Sequence, residues 1–183
     1  MFKLILSFVL LAFLSTNSQA QNLIKNQNFA KGVENWSIFM VNGGVAPRAI
    51  EIGTSYQKYG LADNQAGISF AELDAQSAIQ QTIITQKDKK YVFSYGFTHR
   101  PNAGDKQLII QVNGKVVHTA TIKNNAELGK FAHKNFTFDA DSDNAKIAIY
   151  VVSLSGDAGK GVLVTDIFCN LETEVDLKSM NKI

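Results

Sequence analysis

Gln21-Asn22-Leu23-Ile24-Lys25-Asn26-Gln27-Asn28-Phe29, followed by Gly32 and Trp36, is the stretch on which the reading of this chain turns. By pattern it is a short apolar strand, a polar turn and a second strand over 36–41. Trp36, Ile38 and Met40 share one face of that second strand, which puts Trp36 in a core. The segment just upstream sets the compartment. Residues 1–20 carry one basic residue, Lys3, then an apolar run over 4–14, then Ser18 and Ala20 as the small residues of a signal-peptidase site. The run is shorter than the roughly 20 apolar residues that span a bilayer. Residues 1–20 therefore read as a cleaved signal peptide rather than an uncleaved anchor, and the protein as secreted. No Cys follows Ala20, so a lipoprotein anchor is not expected.

Downstream, short strands are expected over 36–41, 45–52, 69–73, 78–85, 90–99, 107–112, 115–122, 131–138, 146–154 and 161–171. They are rich in Val, Ile, Thr and Phe and punctuated by Gly, Asn and Asp. Asn113-Gly114 between two apolar strands predicts a type I′ hairpin, since both turn residues need positive φ. No helical periodicity is sustained. The expectation is an all-β sandwich of about 8–10 strands over 21–172, with a polar tail over 173–183.

The charge is close to balanced, +2 over the whole chain. That excludes the basic field that nucleic acid demands. No second apolar run could span a membrane after signal cleavage. Cys169 is the one cysteine, so no internal disulfide holds the domain. It alternates with Ile167 and Leu171 on the inward face of a strand. Gly156-Asp157-Ala158-Gly159-Lys160-Gly161 lacks the spacing of a phosphate loop and reads as a flexible connection. Asp139-Ala140-Asp141-Ser142-Asp143-Asn144 begins like a calcium loop but has Asn144 and Tyr150 where Gly and Glu are needed. An acidic hairpin turn is the better reading. His99, His118 and His133 are too scattered to mark a metal site. Asn35-Trp36-Ser37 and Asn135-Phe136-Thr137 are glycosylation sequons in a eukaryotic host.

Alternation assigns faces. Tyr91, Phe93, Tyr95 and Phe97 share a core face; Ser94, Gly96, Thr98 and Arg100 share the other. Glu72 points away from the side where Leu73 packs, so Glu72 and Arg100 meet on one outer face if their strands share a sheet. A structural salt bridge is favoured for them over direct ligand contact. Tyr56 and Tyr59 lie in a loop bounded by Gly53 and Gly60. They either stack on sugar rings or pack down as loop anchors. Glu51, Glu72, Asp74 and Asp105 are the candidate acids, but nothing in the sequence places two of them across a cleft as a glycosidase requires.

Four blocks together resemble the galactose-binding-like jelly-roll superfamily, in particular family 4/9-type carbohydrate-binding modules and related secreted bacterial domains. They are Asn22-Leu23-Ile24…Phe29…Gly32…Trp36; Ile50-Glu51-Ile52…Phe70-Ala71-Glu72-Leu73-Asp74; Tyr95-Gly96-Phe97-Thr98-His99-Arg100-Pro101 with Gly104-Asp105; and Gly161-Val162-Leu163-Val164-Thr165-Asp166-Ile167. The resemblance implies a β-jelly-roll, mostly non-catalytic, that binds a glycan or another extracellular ligand. Many such domains hold a structural calcium between a Glu of the opening segment and an Asp pair of the closing strand. Here Gln27 replaces the opening Gly and Ala30 the Glu; Thr165 replaces the first Asp, and Asp166 alone is kept. Calcium is thus the one cofactor left open. The expected function is a secreted, non-catalytic, carbohydrate-binding module that uses Tyr56, Tyr59, Glu72 and Arg100. Its partner is a cell-wall or matrix glycan. The alternatives are a structural or adhesive matrix protein with a protein partner, and a hydrolase using Glu51 or Glu72.

Overall fold

The computed structural model describes residues 21–41, 50–53, 56–124 and 129–175. Among them are ten strands: β1 (Ser37–Met40), β2 (Glu51–Gly53), β3 (Phe70–Leu73), β4 (Ser77–Ile84), β5 (Lys90–His99), β6 (Lys106–Val112), β7 (Lys115–Ile122), β8 (Ala132–Asp139), β9 (Asn144–Ser153) and β10 (Val162–Leu171). Short 3₁₀ turns lie at Tyr56–Tyr59, Asp63–Gln65 and Glu172–Glu174. No helix among the described residues is long and apolar enough to cross a membrane. Residues 1–20, expected to be a signal peptide, most of the strand expected over 45–52, and residues 176–183 of the expected tail lie outside the described residues.

The strands form two antiparallel five-stranded sheets, ordered β1-β4-β9-β6-β7 and β2-β3-β10-β5-β8. This is the expected jelly-roll sandwich. The core lies between the sheets, filled by alternate residues from each: Ile79 and Ile83, Leu108 and Ile110, Ile147 and Ile149, Phe93 and Tyr95, Val162 and Val164. Burial of these side chains is the main stabilising contribution, at roughly 25 cal/mol per Å² of apolar surface. Cys169 sits in this core as expected, and burial pushes its thiol pKa up to about 12. Trp36 is buried too, stacked on Phe29 at 5.5 Å, with its indole N–H donating to the Asn26 carbonyl.

The β6–β7 turn is the expected type I′ hairpin: Asn113 and Gly114 have φ of 51° and 82°. The 139–144 segment is the expected acidic turn. Its Asp141 accepts from Asn113 and Lys115 of the hairpin tip.

Two expectations need correction. Residues 22–24 do not form a strand; they are held beside β10 by specific bonds. Asn22 Oδ1 accepts from the Ile24 and Cys169 amides at 3.0 Å each, its Nδ2 donates to the Ile167 carbonyl, and Leu23 N–H donates to the Cys169 carbonyl. Side-chain bonds thus replace most of a ladder. Nor is the 156–161 connection loose. Lys106, wholly buried, donates from Nζ to the carbonyls of Ser155 and Asp157 and to the Ser153 hydroxyl. The Gly161 amide donates to Glu72.

Candidate functional site

The cross-strand register decides what each outer face presents. On the β2-β3-β10-β5-β8 sheet, Glu51 of β2 lies opposite Glu72 of β3, which lies opposite Leu163 of β10, which lies opposite Thr98 of β5. Glu72 and Arg100 do meet on this face. Both carboxylate oxygens of Glu72 are 3.4–3.5 Å from Arg100 Nη1, and Oε1 also accepts the Gly161 amide at 2.9 Å. Glu72 is 3% exposed and Arg100 is 22% exposed. A carboxylate so enclosed and so partnered is part of the framework.

The two tyrosines fare differently. The loop folds its 3₁₀ turn over the face, and Tyr59 is buried. Its ring meets Phe70 edge-on at 4.9 Å, and the Arg100 guanidinium lies 5.1 Å from its centroid. With Leu61, Leu163 and Phe131 it makes a second apolar cluster. Neither ring face is left for a sugar, so for Tyr59 the anchoring reading holds and the stacking expectation does not. The reason is local chemistry: Gly53 leaves room for Phe70 to come up beneath the loop, and the ring closes over it. The Tyr59 hydroxyl donates to Glu51 Oε2 at 2.6 Å. That bond, with Lys58 nearby, holds the Glu51 carboxyl below its ordinary range, while burial and then Glu51 push the Tyr59 phenol up. The side chain of Tyr56 lies outside the described residues. Glu51 and Glu72 are adjacent, but one accepts from Tyr59 and the other from Arg100 and Gly161. Each is thus engaged by its own partners rather than paired with the other as acid and base.

Asp166 sits at a β-bulge of β10 with φ of 48°. Its carboxylate turns outward, 54% exposed, with His133 Nε2 at 3.8 Å as its ionic neighbour. Calcium needs six to eight oxygens. The described residues hold no group of three His, Cys, Asp or Glu side chains placed to share an ion. Position 30 is an exposed Ala, and Asn22 already ties the opening segment to β10. The residues present do not fit the family's calcium.

The opposite outer face carries what the sequence reading missed. Two rows cross all five strands of the β1-β4-β9-β6-β7 sheet. One is Ser37–Gln80–Ala148–Gln111–Val116; the other is Phe39–Ala78–Tyr150–Ile109–Thr119. The first is amide and hydroxyl groups over a small-residue floor. The second is apolar, with half-buried Phe39, Val41 and Val152 packed on Ala78, Ile109 and Tyr150. Gln111 Nε2 donates to the Tyr150 hydroxyl at 3.1 Å and joins the two rows. At the β1–β4 end the polar row opens into a pocket of about 190 Å³ walled by Lys25, Asn35, Ser37, Gln80, Gln81 and Thr82. Gln81 reaches inward to hold it, accepting the Lys25 amide and donating to the carbonyls of Lys25 and Asn35. The signal was present in the period-2 polar positions Gln80 and Thr82 of β4 and Gln107 and Gln111 of β6, which alternate with the core residues Ile79, Ile83, Leu108 and Ile110.

No family model and no curated protein matches the chain. Solved structures do. The carbohydrate-binding module TmCBM61, determined with β-1,4-galactotriose, superposes with a TM-score of 0.55 at 16% identity, over 84% of this chain and all of that one. The fold is the galactose-binding-like jelly roll. The CBM22-1 xylan-binding domain of Paenibacillus barcinonensis Xyn10C matches this jelly roll at 0.53 and 14% identity, over 83% of this chain and 95% of that one. The Stig cyclase Fisc from Fischerella sp. TAU shares it at 0.58 and 16% identity, over 81% and 95%. Carbohydrate-binding modules and an enzyme are thus built on the same jelly roll, and the site must decide between them.

Proposed function

We propose that the protein is a secreted, non-catalytic, carbohydrate-binding module, and that it binds glycan on the outer face of the β1-β4-β9-β6-β7 sheet. The observation that carries this is the pairing of rows on that face. A sugar ring presents apolar C–H patches beside hydroxyls. The half-buried Phe39, Val41 and Val152, packed on the apolar row, answer the first, and the amides of Gln80 and Gln111 answer the second. The Ala148 floor between the amides lets a ligand approach the sheet closely. Binding on one sheet face leaves the bond chemistry of the sugar untouched. Three of the four candidate acids are engaged elsewhere: Glu72 with Arg100, Glu51 with Tyr59, and Asp105 with Lys123.

A glycan array on the purified protein tests the reading. Binding is expected, and Gln80→Ala with Gln111→Ala is expected to weaken it by about tenfold or more, because each removes a hydrogen bond that the sugar would otherwise make. Tyr59→Phe, on the opposite sheet, should leave it unchanged. Absence of glycan binding together with self-association would favour the adhesive reading. Turnover of a bound glycan would overturn the non-catalytic one.

A further inference from the structure

The opening segment makes a second cavity that the fold does not consume. A cleft of about 420 Å³, within the ~300–1,000 Å³ range of small-molecule sites, is lined by Lys25, Asn26, Gln27, Asn28, Ala30 and Lys31 together with Asn35. It shares Lys25 and Asn35 with the pocket at the end of the polar row, so the two are neighbours. The walls divide by role. Asn26 is spent on the loop: its amide donates to the carbonyls of Gly32 and Glu34, and its oxygen accepts the Lys31 N–H. The Lys25 and Lys31 side chains are not spent. Among the described residues neither ammonium makes an ion pair or donates a hydrogen bond, while their backbones are fixed, Lys25 by Gln81 and Lys31 by Asn26. Two unpaired cations are therefore held on rigid backbone at one cleft.

The surrounding charges reinforce the sign. Lys146 of β9 lies opposite Thr82, at the rim of the adjoining pocket. Glu34 is the one carboxylate between residues 21 and 41; it is exposed and 3.4 Å from the Asn35 amide. Asp166, whose neighbour Ile167 is bonded to the Gln27 carbonyl, faces His133. The amide of Gln27 and the Nδ2 of Asn28 supply neutral donors beside the lysines.

We infer that this cleft is a subsite for the acid group of a uronate- or sulfate-bearing glycan whose neutral part lies along the Ser37–Gln80–Ala148–Gln111 row. The inference rests on the glycan-binding reading above and adds the class of sugar. Lysine ammonium groups recognise carboxylate and sulfate alike as point charges, so both probes are needed.

The test is titration calorimetry with polygalacturonate, a sulfated glycosaminoglycan, neutral galactan and neutral xylan, each at low and high salt. At low salt one acidic polymer should bind about tenfold or more tightly than the neutral ones, and the preference should shrink as salt screens it. Polygalacturonate alone binding would assign a carboxylate; the sulfated chain alone would assign a sulfate. In the Lys31→Gln protein the acidic preference should fall severalfold with neutral binding intact, Lys31→Arg should restore it, and Lys25→Gln/Lys31→Gln should abolish it. Neither ammonium is hydrogen-bonded or ion-paired among the described residues, so these variants should fold; an unchanged melting temperature verifies it. Equal binding of neutral and acidic glycans, or an acidic preference that survives the double Gln variant, overturns the inference and leaves the broader reading standing. No glycan bound at any salt overturns both.

Discussion

His118 lies flat on Phe136, ring planes 2° apart and centroids 4.4 Å apart, with its Nε2 3.0 Å from the Tyr95 hydroxyl. Burial first, and Lys134 second, lower its pKa from the ordinary 6.5. The unfolded chain therefore binds a proton here more readily than the folded one. Stability is full above the unfolded pKa and falls as pH drops through it toward the lower folded value. The loss of melting temperature between pH 7.5 and pH 5 should be smaller in His118→Phe than in the parent; equal losses would exonerate His118. Glu72 makes a second prediction at this scale. Arg100→Ala leaves a carboxylate that is 3% exposed without its cation, and should cost about 3–5 kcal/mol in urea denaturation. Glu72→Ala leaves the partly buried Arg100 and the Gly161 amide unmet, and should cost about 1–3 kcal/mol. Losses below about 0.5 kcal/mol would place the pair among ordinary surface contacts.

Elements were legible where strand-forming runs were long and sharply bounded. The β5 and β7 strands begin and end at the residues expected from sequence, because β-branched and aromatic residues fill them and turn residues flank them, Asp88 and Pro101 for β5, Asn113-Gly114 and Asn124 for β7. Residues 22–24 misled because their apolar pair mimics a strand, whereas what fixes them is an Asn22 side chain bonded to residues 145 and 147 positions away. Tyr59 was undecidable from sequence for the same kind of reason: its cover comes from Phe70, Leu163 and Phe131, on three other segments. The cleft was invisible because Lys25 and Gln80 meet only when β4 runs beside the opening loop. Two glycines illustrate how context sets the cost of a methyl group. Gly114→Ala meets open space and suffers only its positive φ, about 1 kcal/mol. In Gly161→Ala the new Cβ drives into the Leu73 backbone carbonyl and must part β3 from β10, so a loss above about 3 kcal/mol is expected. Equal midpoints for the two variants in denaturant would contradict this.

For the whole molecule, a single buried thiol and no disulfide leave stability to the two-sheet core and its tethers. The bonds from Asn22 and Leu23 to β10 tie residues 22–23 to that strand through protein groups alone. Melting temperature should therefore be indifferent to a chelator and to added calcium. Asn22→Ala should lower it by several degrees, the consequence of losing about 1–3 kcal/mol of partly buried hydrogen bonding. A clear rise on adding calcium would restore a metal to the account.

The place of β10 has a consequence in time. Among the described strands it comes last in chain order, yet it stands at the centre of its sheet, between β3 and β5. Without it, that sheet is two fragments, β2-β3 and β5-β8, each with a raw edge and no partner across the gap. During synthesis this sheet therefore closes only once β10 has been made, after all nine strands that precede it.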